Sequence, residues 1–349
     1  MTDLFENPLR GTGLPDATRF PLSDATAVGE LLSLCPAHSQ TALLDLPNLA
    51  AQMGIAKLYV KDERDRMGLG SFKALGASYA IAREAAGVVQ DDDWIQALAG
   101  RVFVTASAGN HGLSVAVGAR LFGARAVIYL AKTVPEAFAE RLRAKGADVV
   151  RAGATYGASM EAAEAAADDN GWTLLSDSSW PGYEDLPTRV MEGYLQLAAE
   201  IAEQIETPPT HIFLQAGVGG LAAAVAAYAR AVWGANPVII VVEPDAAPAL
   251  IESIRAGRLI TTEGPVSSMG RLDCKTPSMI ALAGLARDAD LFVTISEDEA
   301  ATAVARLAES GLPTTPSGGA GLAALFAARP ELGAQARVLA ILSEGPEDG

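Results

Sequence analysis

Short apolar runs rich in β-branched residues alternate with longer alanine-rich stretches along most of this chain. The runs at 58–61, 102–105, 125–130, 149–152, 212–215, 238–242, 291–295 and 337–342 are bounded by glycine, proline or polar residues, and they predict strands. The stretches at 113–122, 136–145, 159–169 and 186–206 predict helices, with alanine serving packing and propensity. Such alternation predicts an α/β fold, with β/α units around largely parallel sheets whose cores are flanked by helices. Three glycine-bearing turns follow strands, so a site is expected at the strands' C-terminal ends. Residues 1–40 lack this rhythm and hold scattered glycines and prolines, as expected of an arm that covers another subunit.

Candidate chemistry begins at Lys73, in the run Gly68-Leu69-Gly70-Ser71-Phe72-Lys73. A lysine at the mouth of a helix, with apolar neighbours lowering its pKa, can keep an unprotonated amine that condenses with an aldehyde. A second turn, Ser107-Ala108-Gly109-Asn110-His111-Gly112, lies between the strand at 102–105 and a helix. There Ser107 and Asn110 either cap the helix or receive a carboxylate at the positive end of its dipole, and His111 is either a ligand contact or a satisfied core histidine. A third turn, Gly217-Val218-Gly219-Gly220, reads as a phosphate cradle. Gly217, Gly219 and Ala222 also fit a dinucleotide fingerprint, with Glu243 where a ribose-binding carboxylate would sit. A nicotinamide oxidoreductase is therefore the rival from another class, but it has no use for the lysine turn. At the last strand's end, Ser343 offers a hydroxyl to a pyridine nitrogen or simply closes the strand. Asp177 reads as a loop-capping aspartate, Glu63 and Asp65 as structural or surface charges, and Lys61 as a strand-end lysine.

Composition narrows the setting. With 349 residues, 50% of them hydrophobic, the chain can bury a large core and is expected to form two lobes. No apolar stretch reaches the roughly 20 residues of a bilayer span, and residues 1–30 lack a signal-peptide pattern, so a cytoplasmic protein is expected. A net charge of −16 argues against nucleic-acid and anionic-membrane partners. Cys35 and Cys274 suit neither a disulfide framework nor a zinc site, Cys274 reads as a small buried apolar group, and His38, His111 and His211 lack ligand spacing, so no metal is implied.

These four motifs, in this order, resemble the fold-type II pyridoxal phosphate enzymes: serine and threonine dehydratases, threonine synthase, the tryptophan synthase β chain and diaminopropionate ammonia-lyase. The likeness spans about 40–345. Within that group the chain is most similar to diaminopropionate ammonia-lyase, on Lys61 to Ala77, Asp177-Ser178-Ser179-Trp180, Val242-Glu243-Pro244-Asp245 and Met269-Gly270-Arg271-Leu272-Asp273-Cys274. The resemblance implies a tryptophan synthase β-like fold, with a large cofactor-binding domain of 1–99 and 177–349 and a small substrate-closing domain of 100–176, in a homodimer. It implies pyridoxal 5'-phosphate bound by Lys73, Asn110, Gly217, Val218, Gly219, Gly220 and Ser343, with Ser107, Asn110 and His111 receiving the amino-acid substrate and Lys73 and Asp177 acting as catalytic groups. The implied reaction is α,β-elimination from a β-substituted L-amino acid, foremost 2,3-diaminopropionate to pyruvate and ammonia. L-serine or L-threonine dehydration and β-replacement remain alternatives. Two departures bear on this choice: Ala108 stands where the ammonia-lyases carry aspartate, and Pro316 where they commonly carry glutamate.

Overall fold

A computed structural model describes residues 3–91, 93–328 and 330–346. Its strands are β1 (Leu4–Glu6), β2 (Leu43–Asp45), β3 (Lys57–Asp62), β4 (Val102–Ala106), β5 (Arg125–Leu130), β6 (Asp148–Arg151), β7 (Thr173–Leu174), β8 (His211–Gln215), β9 (Val238–Pro244), β10 (Leu291–Ile295) and β11 (Arg337–Leu342). They form a seven-stranded sheet in the order β1-β10-β9-β8-β11-β3-β2 and a four-stranded sheet in the order β6-β5-β4-β7. Neighbours run parallel throughout, except for β1 and β2, which close the two edges of the large sheet antiparallel.

Residue alternation in the central strands divides the interior in two. Ile212, Leu214, Ile239, Val241, Leu339 and Ile341 enter one core, while Phe213, Ile240, Val242, Val338, Ala340 and Leu342 enter another on the opposite face. Parallel strands apolar on both faces are the pattern expected where helices cover both sides. The first of these cores continues into the small sheet through Phe103, Ile128 and Leu130. Helix Lys73–Ala86 is buried along most of its length and packs against helices Asn110–Leu121 and Asp185–Gln204. A Cβ at Gly193 would come within 2.4 Å of the Leu75 carbonyl oxygen, so glycine sets how closely that helix is held.

The strands read from the sequence are all present, within two residues at either end. Not foreseen were β1, β2 and β7, which are too short to show any periodicity. Residues 1–40 correct another expectation: from residue 3 on they are built into their own subunit. β1 pairs with β10, Asn7 Nδ2 donates to the carbonyls of Ala286 at 2.9 Å and Ala289 at 2.7 Å, and Val28 and Leu32 lie in the core. Helix Met279–Asp288 thus has its C-terminal carbonyls capped by a side-chain amide instead of water. No helix among the described residues is long and apolar enough to cross a membrane.

Candidate active site

Between β3 and helix Lys73–Ala86 the chain makes a tight turn fastened by buried charge. Arg66, fully buried, donates to Glu63 Oε2 at 2.7 Å and to Glu200 Oε1 at 2.8 Å, and Lys61 Nζ lies 2.7 Å from Glu200 Oε2. Lys61 is therefore a structural cation of the interior, Glu63 is the structural partner of Arg66, and Asp65 is exposed. Met67 takes a left-handed φ of 53°, a strain that this clamp holds in place. From the other side the segment after β11 zips onto the turn: Phe72 N donates to Ser343 O at 3.1 Å and Gly345 N to Gly70 O at 3.0 Å. Ser343 itself is 5% exposed.

Lys73 Nζ is paired with Asp177 Oδ2, with side chains 21% and 19% exposed. The amine also lies 5.2 Å from the Phe72 ring centre and 5.7 Å from that of Tyr194. The sequence suggests a depressed lysine pKa, and the structure gives the reverse. Burial does disfavour the charged amine, but the Asp177 carboxylate against it prevails and holds Lys73 above the ordinary lysine range. Burial likewise opposes the Asp177 anion, and the Lys73 ammonium overrules it, so that carboxyl lies well below its usual value. The proton of this pair thus rests on Lys73, with the Asp177 carboxylate in direct contact.

Ser107 and Asn110 sit where β4 gives way to helix Asn110–Leu121. Ser107 Oγ accepts from Gly109 N at 3.2 Å and Gly112 N at 3.1 Å, so it caps the turn while its own proton remains to be donated. Asn110 Nδ2 donates to Glu344 Oε2. His111 is buried and kept neutral chiefly by that burial. Its Nε2–H donates to the Leu175 carbonyl at 2.8 Å, which leaves Nδ1 as a bare acceptor and ties this turn to the loop that carries Asp177.

Gly217 to Gly220 follow β8 and open helix Gly220–Trp233, whose first amides have no preceding turn to bond. Gly219 has φ 97°, which favours glycine. A Cβ at Gly217 would lie 3.0 Å from both Arg271 O and Cys274 Sγ. Cys274 therefore stands against the cradle, half-buried, and burial pushes its thiol up to about 12. Glu243, the residue a dinucleotide reading needs, is spent elsewhere: its oxygens accept from Leu250 N at 2.7 Å and Ile251 N at 2.8 Å. Glu344, Tyr194, Arg271 and Cys274 are the neighbours that motif reading missed or set aside. The Ser-Glu-Gly that follows β11 was the signal for the first.

A cavity of about 430 Å³ opens beside Asn110 and Glu344, with Arg64, Gly70, Arg141 and Arg271 also on its walls. The profile of the family described as pyridoxal-phosphate dependent enzyme matches residues 34–344. A diaminopropionate ammonia-lyase of Salmonella typhimurium is 34% identical over 348 residues, covering 89% of this chain and 86% of its own. An L-threonine dehydratase of Mycobacterium tuberculosis is 28% identical, covering 94% and 73%. The crystal structure of diaminopropionate ammonia-lyase from Escherichia coli in complex with D-serine matches with a TM-score of 0.90 at 29% identity, covering 99% of this chain and 94% of that one.

Proposed function

Since the chain belongs to the pyridoxal-phosphate dependent enzyme family, we propose that it is an ammonia-lyase converting 2,3-diaminopropionate, a β-substituted L-amino acid, to pyruvate and ammonia. The observation that carries this reading is the contact between Lys73 and Asp177, on elements that also bring the asparagine turn and the glycine cradle together. The residues present fit pyridoxal phosphate. The lysine amine suits its aldehyde, and the main-chain amides of Gly217 to Gly220, which open helix Gly220–Trp233, suit its phosphate.

When bound, the cofactor supplies an electron sink that acidifies the substrate's α-carbon and weakens its bond to the β-substituent. Lys73 would hold the aldehyde, and the amides of Gly217, Val218, Gly219 and Gly220 the phosphate, each charge-assisted hydrogen bond contributing about 1.5–3 kcal/mol. Asn110 would meet the ring hydroxyl and Ser343 the pyridine nitrogen. The Ser107 hydroxyl and the Asn110 main-chain N–H, at the start of its helix, bind the substrate carboxylate, and the His111 ring fixes the loop before Asp177 through Leu175. Lys73 removes the α-proton. Asp177, in contact with that amine, takes up the proton that Lys73 has received and passes it to the departing β-nitrogen.

The division into two sheets supports a larger lobe of 1–99 with 177–349 and a smaller one of 100–176, which contains β4 to β7 and would close on substrate. A cytoplasmic homodimer completes the proposal; sedimentation would report its subunit number. A second reading, L-serine or L-threonine dehydration, is favoured by Ala108, which makes the turn read Ser-Ala-Gly-Asn-His as in threonine dehydratases. Supplying L-2,3-diaminopropionate, L-serine and L-threonine to purified enzyme and measuring 2-oxoacid release decides between the two. Fastest release from diaminopropionate supports the first reading, fastest release from a hydroxy amino acid overturns it, and amino-acid product without keto acid identifies β-replacement.

A further inference from the structure

Glu344 is buried to 5% exposure at a junction of three segments. Its Oε2 accepts from Asn110 Nδ2, its Oε1 accepts from Thr315 Oγ1, and its main-chain carbonyl accepts from Thr314 Oγ1 at 2.6 Å. Arg271 Nε lies 3.8 Å from Oε2. Opposite Ser71 the residue makes a bridge to the lysine turn. The side chain has been given room: a Cβ at Gly318 would fall 3.0 Å from Glu344 Cγ and 2.2 Å from Thr314 Oγ1. A buried carboxylate this well supplied with donors is a built feature, and it meets the asparagine turn at Asn110.

That partner has two possible orientations. An amide flipped end over end exchanges a donor for an acceptor while keeping its shape, so packing alone does not choose between them. A carboxylate accepts only. Facing Glu344, the Asn110 amide must turn its NH2 inward, and one N–H is used there while the second remains available.

We propose that Glu344 is a positioning residue that fixes the orientation of the Asn110 amide, so that its second N–H is presented to the ring hydroxyl oxygen of the cofactor. This rests on the cofactor reading above and adds to it a residue that touches neither the reacting atoms nor the cofactor. It also offers a physical account of Pro316: through Thr315, a carboxylate from the end of β11 occupies the neighbourhood where relatives commonly place glutamate. In Glu344→Gln the volume is kept but the partner can offer either a donor or an acceptor, so the amide orientation is no longer dictated.

The test compares wild type, Glu344→Gln, Thr315→Val, Asn110→Ala and the Asn110→Ala/Glu344→Gln double variant, each saturated with pyridoxal phosphate. The readouts are the position and pH titration of the bound-cofactor band, at about 410–420 nm, and the cofactor dissociation constant. Loss of a hydrogen bond to a charged group predicts a weakening of cofactor binding by about 10- to 100-fold in Glu344→Gln, with a displaced band and a smaller displacement in Thr315→Val. Because Glu344 acts through Asn110, the double variant matches Asn110→Ala in band position and affinity. A Glu344→Gln enzyme with wild-type band, titration and affinity overturns the inference alone, as does a double variant whose losses multiply. If Glu344→Gln does not fold, Thr315→Val decides, and a wild-type spectrum there overturns the proposal. Wild-type protein that forms no such band overturns the cofactor reading and the inference together.

Discussion

Replacing Glu200 by glutamine tests whether buried charge holds the lysine turn. Glu200 is 1% exposed and meets both Arg66 and Lys61 at 2.7 Å. Burial alone would raise its carboxyl, but the Arg66 guanidinium and then Lys61 reverse that and bring it down to about 2, against an ordinary value of 4.5. That gap corresponds to about 3 kcal/mol of stability, in line with the roughly 3–5 kcal/mol lost when one member of a buried ion pair is removed. A folded-state pKa below the unfolded one means that this stability is fully present above pH 4.5 and is lost as pH falls towards about 2. Urea unfolding at neutral pH should therefore show Glu200→Gln less stable by about 3–5 kcal/mol, a large part of the roughly 5–15 kcal/mol typical of a folded protein. The difference from wild type should narrow through the acid range. A loss of less than about 1 kcal/mol, the size of a surface pair, or a difference unchanged down to the acid end of the titration, would refute the reasoning.

Other expectations concern the site. Asp177→Asn removes the anion that keeps a proton on Lys73, and kcat should fall by about 10²–10⁴-fold; steady-state rates close to wild type would show that Asp177 only caps its loop. Gly217→Ala puts a methyl group 3.0 Å from Arg271 O and Cys274 Sγ and should weaken pyridoxal phosphate binding by more than about tenfold, roughly 1.4 kcal/mol, as read by equilibrium dialysis. With Ala108 in place of an aspartate, no acid stands at that position of the asparagine turn, so turnover of the D-isomer should be small beside that of the L-substrate; equal rates for the two enantiomers would contradict this. Ser296→Ala deletes a capping box in which Ser296 Oγ accepts from Glu299 N at 3.2 Å, and thermal unfolding should register a loss of about 0.5–2 kcal/mol with catalysis untouched.

The strands that build the large sheet were legible because each is a β-branched run closed by a turn signal, and β5, β10 and β11 begin and end where the sequence puts them. The short edge strands β1, β2 and β7 were not, since three residues such as Leu4–Glu6 show no period and are held by their partner strand. At the candidate site, Lys73, Asn110 and Gly217 to Gly220 stood out because glycine-bearing turns between a strand and a helix mark them, with Gly70 and Gly219 at positive φ. Glu344 did not, because one glutamate beyond a strand looks like any surface acid until Asn110 and Thr315 close around it. The electrostatics of Lys73 were misread for a similar reason. Its local neighbours are apolar, but the deciding charge comes from Asp177, more than a hundred positions away (|i−j|=104).

β11 lies between β8 and β3, in the middle of the large sheet, although it is the last strand of the chain. During synthesis β4 to β7 can assemble as soon as a contiguous stretch has emerged from the ribosome, whereas β3 and β8 must wait for their shared neighbour. The nascent protein therefore carries two unpaired inner edges until β11 has been made, the condition in which chaperone capture and aggregation compete with folding. A premature stop only slightly upstream of β11 would leave the small sheet intact and the Lys73 turn without its anchor.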